Sequence, residues 1–337
     1  MPVRSAIIGY GRNGSTMHAG PIEKNPDFEL CAVCDIDPRA LEKAKARFGC
    51  AVYTDYHEML KREQLDFVVV VTRSSQHAEM AADCLLAGVN TMVTKPWATT
   101  VDEARLMISA QKVSGKLLLP WLPARWGSDL AALREIVARG DIGKIWRIHR
   151  AVYSPGKRCD WQTQREFGGG YLLNWGPHLV DQPLRLAGSP VVSVYGELRQ
   201  IVNPGDAEDN VFVMCKTEAG ITTISEYSTA VDKLPNWVIQ GDGGTIFVRG
   251  NKIEINRVVY SDAVDGGEYR SGFKTEVEEM TVGGNIYGDE YEIYRHIARV
   301  IHGEEQYFAS PDDALELSRV LDAARMSSRL GQAVYLR

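Results

Sequence analysis

One glycine-rich turn near the start of the chain constrains the fold more than any other feature. Gly9, Gly11 and Gly14 form a GxGxxG in Gly9-Tyr10-Gly11-Arg12-Asn13-Gly14, directly after the apolar run Ser5-Ala6-Ile7-Ile8. The spacing alone is weak, because glycines are frequent in turns. Between a strand and a helix, at the opening of a βαβ unit, it predicts a cradle for phosphates. The first glycine permits the tight turn, the second lets backbone approach a pyrophosphate, and the third lets helix and strand pack closely. The helix start adds free N–H groups and partial positive charge. Asp35 ends the second predicted strand about 20 residues past Gly14, where a carboxylate accepts ribose hydroxyls. It would repel a 2′-phosphate, so NAD is expected in preference to NADP. The competing reading is a flavodoxin-like loop with an incidental aspartate.

The first 120 or so residues alternate strand and helix signals. Strands are expected over 28–34, 66–71, 90–94 and 116–119, and helices over 40–48, 77–87 and 100–113. Asp37-Pro38 reads as a helix start, Gly49 and Gly88 as stops, and Thr100 with Glu103 as a capping box. Near-continuous apolar strands alternating with helices mean a parallel sheet covered on both faces. From about Lys144 the pattern changes to short strands separated by turns: 145–153, 191–200, 211–216, 222–228, 238–240 and 245–248. One substantial helix over 171–186 interrupts them, and the tail from Glu290 returns to helix, with Ser310-Pro311-Asp312-Asp313 as a start signal. The expected architecture is an α/β Rossmann domain over 1–122 and an α+β domain with an open, mainly antiparallel sheet over 123–337.

Composition narrows the function classes. The 337 residues carry 38 basic and 44 acidic side chains, a net charge of −6, which does not suit a nucleic-acid binder. No apolar run approaches the roughly 18–20 residues of a membrane span. The six cysteines are too sparse for a disulfide framework. Cys31 and Cys34 form a CxxC, but within a predicted strand, where residues three apart point to opposite faces and do not share a metal easily. No metal is expected. The first eight residues lack a leader's long apolar region, so a cytoplasmic location is expected.

Three further stretches carry candidate chemistry. Thr94-Lys95-Pro96 stands where a strand ends, on the sheet edge where ligands bind. Lys95 there could transfer a proton or anchor a hydroxyl, or be a surface lysine. In Gly168-Gly169-Gly170-Tyr171-Leu172-Leu173-Asn174-Trp175-Gly176-Pro177-His178-Leu179-Val180-Asp181, Asn174 and His178 share a helical face. Imidazole titrates near neutrality, which suits a general base acting on an alcohol. Arg125 lies between Trp121 and Trp126, with Trp161 further on, and flat rings beside a bidentate donor suit a sugar or cyclic polyol. An ordinary apolar core would use the same residues. Tyr153, Arg158 and Trp237 complete the pocket candidates.

Taken together, the glycine motif with His18, Thr94-Lys95-Pro96, Gly168-Gly169-Gly170 and the run from Asn174 to Asp181 resemble the glucose–fructose oxidoreductase/inositol dehydrogenase (Gfo/Idh/MocA) family nearly end to end. The resemblance implies NAD(P)-dependent hydride transfer to or from a sugar, polyol or glycoside hydroxyl, and a homodimer or homotetramer formed through the open sheet. It implies Lys95, His178 and Asn174 as catalytic residues. The cofactor would meet Gly9, Tyr10, Gly11, Arg12, Asn13, Gly14, Asp35, Thr72 and Lys95, and the substrate Arg125, Trp161, Asn174 and His178. Thr94 replaces the family's usual glutamate, Arg73 its proline, and Asn174 the aspartate of many members. An amide cannot supply negative charge to an imidazolium. Two other readings stay open: a redox-assisted glycoside hydrolase, and a regulator that binds dinucleotide without turnover.

Overall fold

Strands apolar on both sides need cover on both sides, and the first sheet has it. A computed structural model describes residues 1–229, 234–261 and 272–336. In order along the chain come β1 (Val3–Ile8), α1 (Ala19–Lys24), β2 (Phe28–Cys34), α2 (Pro38–Phe48), β3 (Ala51–Tyr53), α3 (Tyr56–Arg62), β4 (Phe67–Val70), α4 (His77–Leu86), β5 (Asn90–Val93), α5 (Val101–Ser114) and β6 (Leu118–Pro120). The six strands are parallel, in the order β3-β2-β1-β4-β5-β6. One face packs Ala6, Ile8, Ala32, Val68 and Val70 on Met59 and Cys84. On the same face Val93 packs with Ala81 and Leu85 of α4, Met107 of α5 and Trp97 of the loop before α5. On the other face Ile7, Val33, Val69 and Met92 are fully buried. Strand order reverses between β1 and β4, and the carboxyl ends of the strands beside that point form the ligand crevice of such sheets.

The start and stop signals act as expected. Asp37 and Thr100 cap α2 and α5 by accepting from the N–H groups of Arg39 and Glu103. Glu103 reaches back to the Thr99 N–H and hydroxyl rather than to Thr100, so the box closes one residue early. β3 and α3 were not expected; three residues give no alternation to read, and α3 is a short helix capped by Asp55.

The second sheet is built from β7 (Ile145–Tyr153), β8 (Val191–Arg199), β9 (Asn210–Thr217), β10 (Thr222–Ser228), β11 (Trp237–Gly241), β12 (Gly244–Arg249), β13 (Lys252–Tyr260), β14 (Phe273–Thr281) and β15 (Val334–Tyr335). Its order is β14-β13-β12-β11-β7-β10-β9-β8-β15; only β7 and β10 pair in parallel. Helix α6 (Ser128–Ala138) gives Leu130, Leu133 and Ile136 to a core with Ile148, Trp237, Ile239 and Ile246. The helix expected over 171–186 is two: α7 (Tyr171–Leu179) and α8 (Asp181–Ala187). Pro183 has no N–H to give the Leu179 carbonyl, which accepts from the Ser225 hydroxyl instead (2.8 Å).

Helices α9 (Glu290–Ile301) and α10 (Pro311–Leu330) follow; Ser310 and Asp313 cap each other reciprocally at the start of α10. The chain divides into two compact units. The first is Met1–Pro123, Gln164–Gly169 and Asp289–Asp322, and the second is Ala124–Thr163, Gly170–Gly288 and Ala323–Arg337. A single cut after residue 122 does not reproduce this division, because the chain returns to the first unit twice. Among the described residues no helix is long and apolar enough to cross a membrane.

Candidate active site

The three motif glycines meet three different surroundings. Gly9 has φ +97°, and a Cβ there would lie 2.5 Å from the Val71 carbonyl oxygen, beyond β4. A Cβ on Gly14 would overlap the Gly9 carbonyl oxygen, so the first helical turn sits tight on the loop. Around Gly11 nothing lies within 4 Å of the Cβ position, which leaves that stretch of backbone open to a ligand. The residues present therefore fit a dinucleotide. Helical turns run from Arg12 to α1 through a wider π-type turn at Gly14–His18. Asp35 accepts from the Tyr10 N–H (2.6 Å) and the Asp37 N–H (2.8 Å), which fixes its carboxylate beside the loop. A carboxylate has about four acceptor positions, so capacity remains for ribose hydroxyls. The Tyr10 side chain is buried edge-on against Phe48, so Tyr10 offers the loop its backbone. Arg12 is exposed and Asn13 half-buried.

Lys95 lies half-buried just beyond β5, and Thr72 just beyond β4. Thr94 is tied to β4 through its N–H and hydroxyl, both to the Val70 carbonyl. His77, which no sequence signal singled out, is buried between the two loops: Nδ1 lies 2.8 Å from the Pro96 carbonyl oxygen and Nε2 3.2 Å from that of Thr72. Arg73, in the family's proline position, lays its guanidinium 4.0 Å from the centre of the Phe167 ring. Gly168, with φ +71°, packs on Ser74 and Thr99, where a Cβ would come within 2.7 Å. These residues all belong to the first unit.

In the second unit, Asn174 and His178 are both buried on α7. The start of α7 is held by Glu208, whose carbonyl accepts from the Tyr171 N–H and whose carboxylate accepts from the Leu172 N–H. Gly170, with φ +103°, makes this possible, because a Cβ there would overlap the Glu208 carboxylate. An anionic cap also suits the partial positive charge of a helix start. The His178 ring lies 5.4 Å from Tyr287 and 6.2 Å from Trp175, centre to centre. Trp175 in turn meets Tyr227, and Tyr227 meets Tyr171. The imidazole thus stands at the end of an aromatic wall. Burial raises the pKa of the Tyr287 phenol, partly offset by the buried Arg150 guanidinium. Tyr287 lies in a loop without a motif, so only the folded chain reveals it.

Several sequence candidates are placed differently from expectation. Trp237 is fully buried, its indole N–H donating to Asp129 (2.8 Å) and its ring under the Arg150 guanidinium. It belongs to the core, as the apolar face of β11 requires. Trp121 is likewise buried, against His18 and Tyr294 of the first unit. The Arg125 guanidinium grips Asp181 with both arms (2.7 and 2.8 Å), and the pair is almost wholly buried. Trp126 and Tyr153 are half-buried, and the Tyr153 hydroxyl reaches Glu226. Trp161 is half-buried in a turn whose last residue, Thr163, accepts from the N–H groups of Asp206 and Ala207. Arg158 pairs with Asp160, and its N–H donates to Asn203. Asp209 holds that loop by accepting from the N–H groups of Ile201, Val202 and Asn203. Cys31 and Cys34 are free thiols.

A parallel sheet with reversed strand order and a fitted glycine cradle in the first unit, and an imidazole buried among aromatic rings in the second, are the features of a dinucleotide-dependent oxidoreductase. Residues 3–120 match the family described as "Oxidoreductase family, NAD-binding Rossmann fold", and residues 130–247 match the GFO/IDH/MocA C-terminal domain. The chain belongs to the Gfo/Idh/MocA family, and its first unit is an NAD-binding Rossmann domain. Relatives include an uncharacterized oxidoreductase, YdgJ, of Escherichia coli K12, 24% identical over 97% of this chain and 96% of its own length. The D-glucoside 3-dehydrogenase of the same organism is 34% identical over 57% of this chain and 56% of that enzyme. The WlbA dehydrogenase from Bordetella pertussis, solved with NADH and UDP-GlcNAcA, shares the fold at a TM-score of 0.82 and 23% identity, covering 100% of this chain and 99% of that one.

Proposed function

We propose that this protein is an NAD-dependent dehydrogenase that oxidises a secondary alcohol of a sugar, cyclic polyol or glycoside, or reduces the matching ketone. The observation that carries the reading is the buried His178 at the end of an aromatic wall, in a chain whose NAD-binding unit sets Lys95 at a strand end. When bound, the nicotinamide supplies the hydride acceptor. His178 takes the hydroxyl proton as the carbinol C–H bond breaks and the C=O bond forms. Lys95 hydrogen-bonds the same oxygen as it becomes a carbonyl. Asn174 orients the imidazole. Trp161 provides an apolar face for the ring of the substrate, and Arg125 supports the site through its grip on Asp181. Asp35 selects NAD over NADP, Thr72 and Arg12 flank the cofactor, and the protein assembles as a homodimer or homotetramer.

The test is NADH formation across sugars, inositols and simple glycosides, with NAD and NADP offered separately and products followed by mass spectrometry. A substrate that yields NADH is expected. Lys95→Ala should lower turnover about 10²–10⁴-fold, the usual weight of such groups, with NAD affinity within a few-fold of the parent. Undiminished catalysis in that variant overturns the assignment. Glycoside consumed without NADH makes the chain a redox-assisted hydrolase, and NAD binding without turnover makes it a regulator.

A further inference from the structure

Two loops at neighbouring strand ends are joined by one buried side chain. His77 opens α4 and is 1% exposed. Its two ring nitrogens face two backbone carbonyls, Pro96 at 2.8 Å and Thr72 at 3.2 Å. Carbonyl oxygens only accept, and a neutral imidazole has one N–H to donate. Burial lowers the pKa of this histidine, which favours the neutral ring. The single proton then belongs on Nδ1, the nitrogen with the shorter contact, donating to Pro96. That carbonyl is one residue beyond Lys95, and the Lys95–Pro96 bond is the one cis peptide among the described residues.

We propose that His77 is a positioning residue for Lys95: its Nδ1–H ties the Pro96 carbonyl to the start of α4 and so fixes where the lysine stands. The inference rests on the role given to Lys95 above. It touches neither substrate nor cofactor itself. Because the tie is one directed hydrogen bond, side chains that retain one nitrogen or the other separate its effect from simple packing. The amide nitrogen of Asn is bonded to Cγ, as Nδ1 is, and keeps the donor to Pro96. The amide nitrogen of Gln lies further out, where Nε2 is, and does not.

The experiment compares His77→Asn, His77→Gln and His77→Ala in the full chain, each first shown to be folded by its thermal transition. Two quantities are read. One is the ¹³C signal of reductively methylated Lys95 in the NAD-free protein, assigned by its loss in Lys95→Arg. The other is kcat against KM. His77→Gln and His77→Ala should shift the Lys95 signal and lower kcat up to about 100-fold, the cost of misplacing a reacting group by about an ångström, with KM little changed. His77→Asn should keep the parent signal and most of kcat. A Lys95 signal unmoved in His77→Gln and His77→Ala overturns the proposal, and so does His77→Asn behaving like His77→Ala. Full turnover in Lys95→Ala instead overturns the catalytic role given to Lys95, and the methyl signal still decides whether His77 places the lysine.

Discussion

The two units place polar groups by opposite means. In the first, the loop that fits a dinucleotide is shaped at a strand end by the absence of side chains: Gly9 and Gly14 have no room for a Cβ, and Gly11 leaves space for a ligand. In the second, the groups are side chains on α7, held by ring packing and by a buried ion pair at the start of α8. A site made of missing atoms is sensitive to added volume. A site made of buried charge is sensitive to an unbalanced partner.

The largest effect should come from volume in the first unit. Gly14→Ala forces a Cβ into the Gly9 carbonyl, and neither atom belongs to a flexible side chain. A loss of more than about 3 kcal/mol is expected, with NAD binding abolished, measured by chemical denaturation and calorimetric titration. Gly11→Ala is the control that sharpens the point, since its Cβ meets only open space. It should leave the denaturation midpoint unchanged and weaken NAD alone. Equal destabilisation by the two would break the contrast.

The second unit should respond to charge. Arg125→Met removes the bidentate partner of the buried Asp181 carboxylate and leaves it the weaker company of Arg185, at 3.6 Å, and Arg134. A loss of about 3–5 kcal/mol is expected for breaking such a pair from one side. The double variant Arg125→Met/Asp181→Leu should recover most of it. Unchanged stability with a raised KM would instead make Arg125 a substrate ligand.

A third effect is a pH dependence in the first unit. Burial lowers the pKa of His18 from its ordinary 6.5 to about 3, and Nδ1 lies 2.9 Å from the Tyr294 hydroxyl. The unfolded chain therefore binds a proton that the folded chain refuses. The stability this group gives is complete above about 6.5 and falls between 6.5 and 3 as pH drops, by up to ~1.4 kcal/mol per pH unit. Denaturation midpoints followed from pH 7 to pH 4 should fall less steeply in His18→Met. Parallel curves would mean that His18 is protonated in the native state.

Much of the first unit was legible because its determinants are local. A glycine at +97°, an aspartate at a helix start and valines along β4 act on the backbone within a few residues. The strands of the second sheet from β7 to β12 were also readable from their turns. Its edges were less so: β13, β14 and β15 were not anticipated, nor was α6, and Pro183 divides the helix that residue types alone made continuous.

The candidate site divides along the same line. Lys95, Asn174 and His178 stood out in the sequence because the motifs around them are made of neighbours in the chain. Trp237 and Trp121 were misplaced because an indole reads alike in a core and in a pocket, and only packing tells them apart. His77, Tyr287 and Glu208 carried no local signal; their partners are the carbonyls of Pro96 and Thr72, the ring of His178 and the start of α7. The sequence by itself determined the parallel sheet and the NAD cradle and named the candidates for reactive chemistry, since turn geometry and helix capping are short-range. Which side chains support those residues was decided by the tertiary structure, because a buried polar group must find its partner wherever the folded chain brings one.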